Sequence, residues 1–528
     1  MNRLLLKPLV LGLLAASAAA SHADVGRSAE DIINSTCVAC HTQEGEKQWS
    51  RISHQRKTPE GWLMTIGRMQ TMHGLQISDE DRRTVVKYLA DRQGLAPSET
   101  EGYRYVLERR LNTRESFDSQ VFTETCARCH SGARVMLQRR DTDEWEHLAH
   151  FHLGQYPSAE YQMLARDRDW FDIVRQQMVP ELGQQLPLAS EAWTRWMATP
   201  AGSVSGQWSV AGHMPGKGDL VATMMVRTTD MSDQYEVELS GRWADGSELN
   251  GTGTATLYSG YEWRANLKMD GLSMRQVLQV RDGQLEGRMF NRQDETMGAD
   301  LVGARIDQAK PQILAVQPAY LKVGSRTELT LVGTGLTGTP TFGKGVRVIS
   351  SEWVSSQEMR VVVEAKAAQP GVRAVTAGKA GGATLAVYSQ IDRVQIVPDY
   401  AVARIGANGS STDKLSARFE AQALSAGADG KSGTADDFVI GMLPATWSVA
   451  PFDEVAKEDN DVGFSGQLDP NTGVFITADA GPNPERRMMT NNAGHLIVTG
   501  ALTDNDQTHT ADAELIVTVQ RWNNPPIP

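Results

Sequence analysis

Cys37-Val-Ala-Cys40-His41 and Cys126-Ala-Arg-Cys129-His130 are two copies of one signature, Cys-x-x-Cys-His, and together they use every cysteine of the 528-residue chain. In this pattern two thiols about one helical turn apart form thioethers with the two vinyl groups of a haem, and the adjoining imidazole becomes the proximal iron ligand. The cysteine pairs alone would also suit a dithiol redox site, or a zinc site built from two Cys-x-x-Cys pairs. Neither needs a histidine directly after both second cysteines. The reading is two covalently bound haem c groups, attached at Cys37, Cys40, Cys126 and Cys129 and ligated by His41 and His130, within a helical domain.

The N-terminus indicates where such chemistry takes place. Arg3 and Lys7 precede an apolar run, Leu9 to Leu14, followed by Ala-rich sequence and the small-x-small pattern Ser21-His22-Ala23, which reads as a signal peptide over 1–23 cleaved before Asp24. That run is too short to span a bilayer, and no later segment approaches the roughly 20 apolar residues a spanning helix needs, so the expectation is an exported periplasmic protein outside the membrane. Export agrees with the cysteine usage, since an oxidising compartment favours disulfides and here haem leaves no thiol to pair. The formal charge of −12 becomes −14 once Arg3 and Lys7 are lost, a balance that argues against nucleic acid and anionic membrane surfaces as partners.

With 528 residues and 40% apolar content the chain can bury several cores, and its texture changes sharply near residue 200. Before it, Pro59 to Gln70, Asp79 to Gln93, Gly102 to Thr113 and Ser158 to Met178 are charged, glycine-poor and helix-like. After it come short alternating or apolar runs between Gly, Asp, Ser and Asn turns, such as Val221 to Arg227, Tyr235 to Leu239, Glu328 to Val332 and Arg360 to Glu364. Such spacing predicts barrels or sandwiches. The expected architecture is multidomain, α plus all-β: a helical dihaem cytochrome c domain over 24–200, an antiparallel β-barrel over 201–309, an Ig-like β-sandwich over 310–390 and a C-terminal antiparallel β domain over 391–528. The last contains Asp429-Gly-Lys-Ser-Gly-Thr-Ala-Asp436-Asp437, whose carboxylates could ligate calcium. The string lacks the alternating positions and distal Glu of an EF-hand loop, so a solvated turn is the expectation.

Each haem also needs a sixth ligand, and the two haem segments are weak repeats of one another. Setting Trp62 of Pro59-Glu-Gly-Trp62 against Trp145 of Asp143-Glu-Trp145 places Met69 opposite His152, each seven residues beyond its tryptophan. The expectation is His/Met ligation for the first haem and His/His for the second. Competing side chains are Met64, Met72, His54 and His73 for the first, and His147, His150 and Met163 for the second. The tryptophans are expected to pack on porphyrin faces or edges.

The signal peptide, two Cys-x-x-Cys-His motifs 89 positions apart, the Pro-Glu-Gly-Trp and Asp-Glu-Trp segments and three β domains in series resemble the α subunit of quinohaemoprotein amine dehydrogenase. The resemblance implies a heterotrimeric periplasmic enzyme that oxidatively deaminates primary amines. It implies a small partner subunit carrying cysteine tryptophylquinone, a β-propeller subunit, and an α subunit that passes electrons through its haems to a soluble acceptor, a copper protein or a cytochrome c. No catalytic residue is expected on this chain, because a cysteine-linked quinone cannot form where no cysteine is free. Two other classes remain open: a dihaem peroxidase with one five-coordinate iron, and a dihaem cytochrome fused to a β-domain binding array.

Overall fold

The computed structural model describes residues 27–161, 168–200, 202–307, 310–366, 368–408, 410, 412–488 and 490–519. The expected signal peptide and Met163 lie outside the described residues. Among the described residues no helix is long and apolar enough to cross a membrane.

Two lobes make up the N-terminal region, one around each Cys-x-x-Cys-His motif. The first holds helices α1 (Pro59–His73) and α2 (Asp79–Arg92), and the second is built on α3 (Thr142–Gln155). Each starts where a short polar side chain satisfies an N-terminal amide: Thr58 accepts from Gly61 N–H, Ser78 from Asp81 N–H and Asp141 from Glu144 N–H. Pro59 sits in the first turn of α1, where it has no amide to lose, and Gly74 ends that helix at φ 71°, in the left-handed region. Trp62, Ile66, Val85 and Leu89 join Ile32, Ile33 and Trp49 in the first lobe's core, with Cys37 packed against it. Phe122, Trp145, Ala149, Trp170 and Met178 form the second core, against which Cys126 packs. Trp62 and Trp145 are 1% and 2% exposed, so truncating either to alanine removes about 3–5 kcal/mol of packing.

A two-stranded ribbon joins the lobes. Strand β1 (Gln55–Lys57) leads into α1, β2 (Gln138–Arg140) leads into α3, and they pair antiparallel as Gln55↔Arg140, Arg56↔Arg139 and Lys57↔Gln138. The pairing is symmetric about Arg56 and Arg139, so the ribbon marks a pseudo-twofold axis between the lobes. Both central arginines are buried and converge on one carboxylate. Arg56 donates to Glu99 Oε2 and Oε1 at 2.9 Å each, and Arg139 Nε donates to Glu99 Oε1 at 3.0 Å. Burial alone would raise the Glu99 pKa, yet the two guanidiniums and the Ala96 N–H hold it down at about 2.

The next eight strands, β3 (Gly206–Met214), β4 (Gly218–Thr228), β5 (Gln234–Trp243), β6 (Glu248–Tyr258), β7 (Glu262–Met269), β8 (Leu272–Arg281), β9 (Gln284–Asn291) and β10 (Gly298–Arg305), form a closed antiparallel barrel in sequence order, with β10 returning to β3. Period-two alternation fills it: Leu220, Ala222, Met224 and Val226 point inward from β4 to meet Trp208, Trp263 and Leu278. Gly253 on β6 is required by close approach, because a Cβ there would lie 1.9 Å from the Asn266 carbonyl oxygen. The expected run Leu257 to Trp263 is the β6–β7 hairpin, turned by Ser259 and Gly260 at φ 51° and 74°.

Two more β domains follow, and here one expectation is corrected. The sheets are mixed, not purely antiparallel: Tyr320–Lys322 runs parallel to Ala380–Tyr388, and Tyr400–Arg404 runs parallel to Gln507–Thr518. Local alternation reports which face is buried and carries no information on strand direction, whereas parallel pairing is set by long connections. The Asp429–Asp437 string folds on itself. Asp436 accepts from Ala428 N–H and Asp429 N–H, and Asp437 accepts from Gly433 N–H at 2.7 Å.

Gly102 to Thr113 is also corrected, since it contains one short 3-10 turn, Arg104–Val106, instead of a helix. Its backbone and side chains serve the barrel: Arg288 takes the carbonyls of Glu108 and Arg109, and Arg104 pairs with Glu262 at 2.8 Å. Ser158 to Met178 is likewise interrupted, appearing as Ser158–Tyr161, Trp170–Ile173 and Val174–Met178 on either side of undescribed residues. Leu95, Leu107 and Leu137 share a core with Val277 and Phe290 of the barrel, and Arg264 pairs with Glu60 of α1. The barrel and the haem-motif region are therefore continuously packed.

Candidate haem-binding site

Both motifs sit at the end of a helical turn. Cys37 closes a π-helical segment, Ile33–Cys37, and its carbonyl accepts from Cys40 N–H at 3.1 Å and His41 N–H at 2.9 Å, which wraps the signature into a single turn. Cys126 caps Gln120–Thr125. Burial raises the pKa of the Cys37 thiol and pushes Cys126 up to about 11, the reverse of the depressed values that reactive dithiol motifs need.

The histidines are oriented for ligation. His41 Nδ1 lies 2.9 Å from the Ser50 carbonyl, His130 Nδ1 2.9 Å from the Ser131 carbonyl, and His152 Nδ1 2.8 Å from the Leu148 carbonyl one turn back on α3. A carbonyl only accepts, so each Nδ1 carries the proton and each Nε2 keeps its lone pair for a metal. Burial lowers the pKa of His130 and His152, favouring the neutral imidazole that metals bind.

The ring centres of His130 and His152 lie 6.5 Å apart with planes tilted by 41°. With a metal–nitrogen bond of about 2 Å an axial imidazole holds its ring centre about 3 Å from the metal, so two rings on opposite sides of one iron stand about 6 Å apart. The observed spacing fits an iron between them. Trp170, Tyr156 and Phe151 surround the His152 ring at 5.9, 6.2 and 6.0 Å, an aromatic wall suited to a porphyrin.

Met69 sits half-buried near the C-terminal end of α1, the helix that supplies Trp62 and Leu63 to the cluster around Cys37. Of its competitors, His54 has both ring nitrogens occupied, by Asp141 and Glu44 at 2.8 Å each, and these carboxylates raise its pKa, the Glu44 hydrogen bond most. The Met64 sulfur accepts from Arg134 at 2.8 Å, while Met72 and His73 are exposed in the last turn of α1. In the second lobe His147 bonds Glu144 and His150 bonds Glu146.

Charged groups gather beside these sites in a way that sequence reading missed. Lys57 is 2% exposed, and its ammonium donates to the Thr65 hydroxyl at 2.7 Å. Burial pushes its pKa well down, and Arg140 and Arg68 add to the effect. Lys57 lies over the Trp62 ring at 5.3 Å and Arg140 over Trp145 at 5.5 Å, so the pseudo-twofold relates these pairs as well. A signal was present. The offset of 83 that matches Trp62 to Trp145 also carries Gln55-Arg-Lys57 onto Gln138-Arg-Arg140.

Four family models match the chain in series. They are Quinohemoprotein amine dehydrogenase A, alpha subunit, haem binding, over 27–193, and domains II, III and IV of the quinohemoprotein amine dehydrogenase alpha subunit over 201–306, 310–389 and 394–527. No curated protein matches the sequence. Among solved structures, a redesigned β-barrel, mFAP1, bound to DFHBI is 16% identical, with 19% of this chain and 91% of that chain covered at a TM-score of 0.17. Drosophila N-cadherin EC1-3 is 10% identical, with 56% and 91% covered at a TM-score of 0.20.

Proposed function

The chain belongs to the quinohaemoprotein amine dehydrogenase α-subunit family, and from that premise we propose that it is a periplasmic dihaem electron carrier. It takes electrons from a cysteine tryptophylquinone on a small partner subunit and delivers them to a soluble copper protein or cytochrome c, within a heterotrimer that includes a β-propeller subunit and deaminates primary amines. Covalent haem c at Cys37/Cys40 and Cys126/Cys129 supplies one-electron chemistry when bound. The protein's own residues would hold the irons, His41 with Met69 and His130 with His152, and carbonyl bonds keep each of these histidines in one tautomer. Catalytic residues are assigned to the partner, because all four cysteines of this chain are committed to haem attachment.

The observation that carries this reading is the His130–His152 pair, with rings 6.5 Å apart and both Nδ1 atoms engaged by backbone carbonyls. Such a pair would hold one iron from two sides, which favours an electron-carrying second haem over an open peroxide site. The test uses the complete complex. Adding butylamine should reduce both haems, and phenylhydrazine should block this by labelling another chain. Hydrazine labelling of this polypeptide, or amine oxidation by it alone, would overturn the assignment.

A further inference from the structure

Three cations in the haem-motif region have no carboxylate partner among the described residues. Lys57 donates to the Thr65 hydroxyl and lies over the Trp62 ring; Arg68 of α1 donates to the same hydroxyl at 3.3 Å and lies over the Phe151 ring at 5.5 Å; Arg134 donates to the Met64 sulfur. Acids at the start of α3 are committed elsewhere. Glu144 is shared by Arg51, Arg140 and His147, and Asp141 caps α3 and holds His54. Donors are also left over: Arg68 Nε, Arg140 Nε and the indole N–H of Trp145, itself 2% exposed, are buried with no acceptor in the protein.

A buried cation such as Lys57 without a carboxylate, and buried donors without acceptors, are costly and persist where a bound anion satisfies them. Location indicates which anion. Phe151, under the Arg68 guanidinium, is in edge contact with the His152 ring, and Arg134 follows the motif histidine His130 by four residues. The group expected beside that histidine pair carries two carboxylates of its own, the haem propionates.

We infer that Lys57, Arg68 and Arg134 form the seat for the propionates of the haem attached at Cys126 and Cys129, and that their positive charge raises that haem's reduction potential. Two of the three come from the first lobe, so one half of the pseudo-twofold pair tunes the iron of the other. Fixed cations near an iron favour its reduced, less positive state. This opposes the low potential that His/His ligation tends to confer and narrows the step between the two haems.

The inference rests on the dihaem reading, and its test separates the two. In the intact complex, mass and the pyridine haemochrome spectrum count covalent haems, and spectroelectrochemical titration gives each midpoint, the first haem being identified by its methionine–iron band. With two haems attached, Arg68→Gln should lower the second midpoint by on the order of 59 mV, a tenfold change in its one-electron equilibrium. Arg68→Lys should restore most of it, and Lys57→Met should act in the same direction. Unchanged potentials in Arg68→Gln, or an equal shift at both haems, overturn the inference even if the Lys57 variant does not fold. Fewer than two covalent haems in the unmodified protein overturns the dihaem reading instead.

Discussion

Met69 and His152 stand at equivalent positions of two repeated segments and offer iron a thioether in one and an imidazole in the other. Thioether ligation has its own absorption near the red edge of the visible spectrum, so Met69→Ala should abolish that band and leave the second haem's spectrum unchanged; a surviving band would return the sixth ligand to Met64 or Met72. His/Met ligation tends to raise the potential relative to His/His, so with the proposed ligands a stepwise redox titration should find the first haem the more oxidising. The motif residues and the Trp62–Trp145 match were legible because they are fixed by bonding chemistry and a constant offset. The Nδ1 bonds to Ser50, Ser131 and Leu148 were not, since backbone carbonyls leave no mark on sequence.

At the scale of elements the ribbon β1–β2 depends on Glu99, which neutralises Arg56 and Arg139 on the pseudo-twofold axis. Glu99→Gln leaves two buried guanidiniums underpaired and should cost about 3–5 kcal/mol in urea unfolding. Its acid dependence follows from a folded pKa depressed from 4.5 to about 2. The stabilisation is complete above pH 4.5 and is lost as the pH falls through 2, so acid titration of stability should be shallower in Glu99→Gln over that window. The helices α1, α2 and α3 were legible from their caps and periodicity, with Thr58-Pro59 and Gly74 marking both ends of α1. Gly102 to Thr113 misled because its composition is helical, while Arg288 removes the Glu108 and Arg109 carbonyls and Arg109 itself sits at φ 55°. There a tertiary partner 180 residues away overrides local propensity.

Over the whole molecule the barrel is the hub, contacting the haem-motif region through Glu262 and Arg264, the third domain through Arg242–Glu358, and the fourth through His213. His213 lies between Asp219 and Glu420 at 2.6 Å each; burial opposes its charge, yet the two carboxylates raise its pKa from 6.5 to about 10. A raised folded pKa gives stability that is complete below pH 6.5 and lost as the pH climbs through 10, so thermal midpoints should fall over that range and His213→Gln should flatten the fall. The barrel was legible because every pairing in it except the closing one, β10 with β3, joins neighbours in sequence. The parallel pairing of Tyr400–Arg404 with Gln507–Thr518 was not, because it joins segments more than a hundred residues apart. The ribbon has one further consequence, for gene architecture. Gln-Arg-Lys facing Gln-Arg-Arg is almost self-complementary about its own axis, so a truncated chain carrying the first lobe alone would present a strand whose best available partner is the same strand of another copy. Such a fragment would pair edge to edge with a second copy as a homodimer, the arrangement that a tandem duplication fuses into one chain.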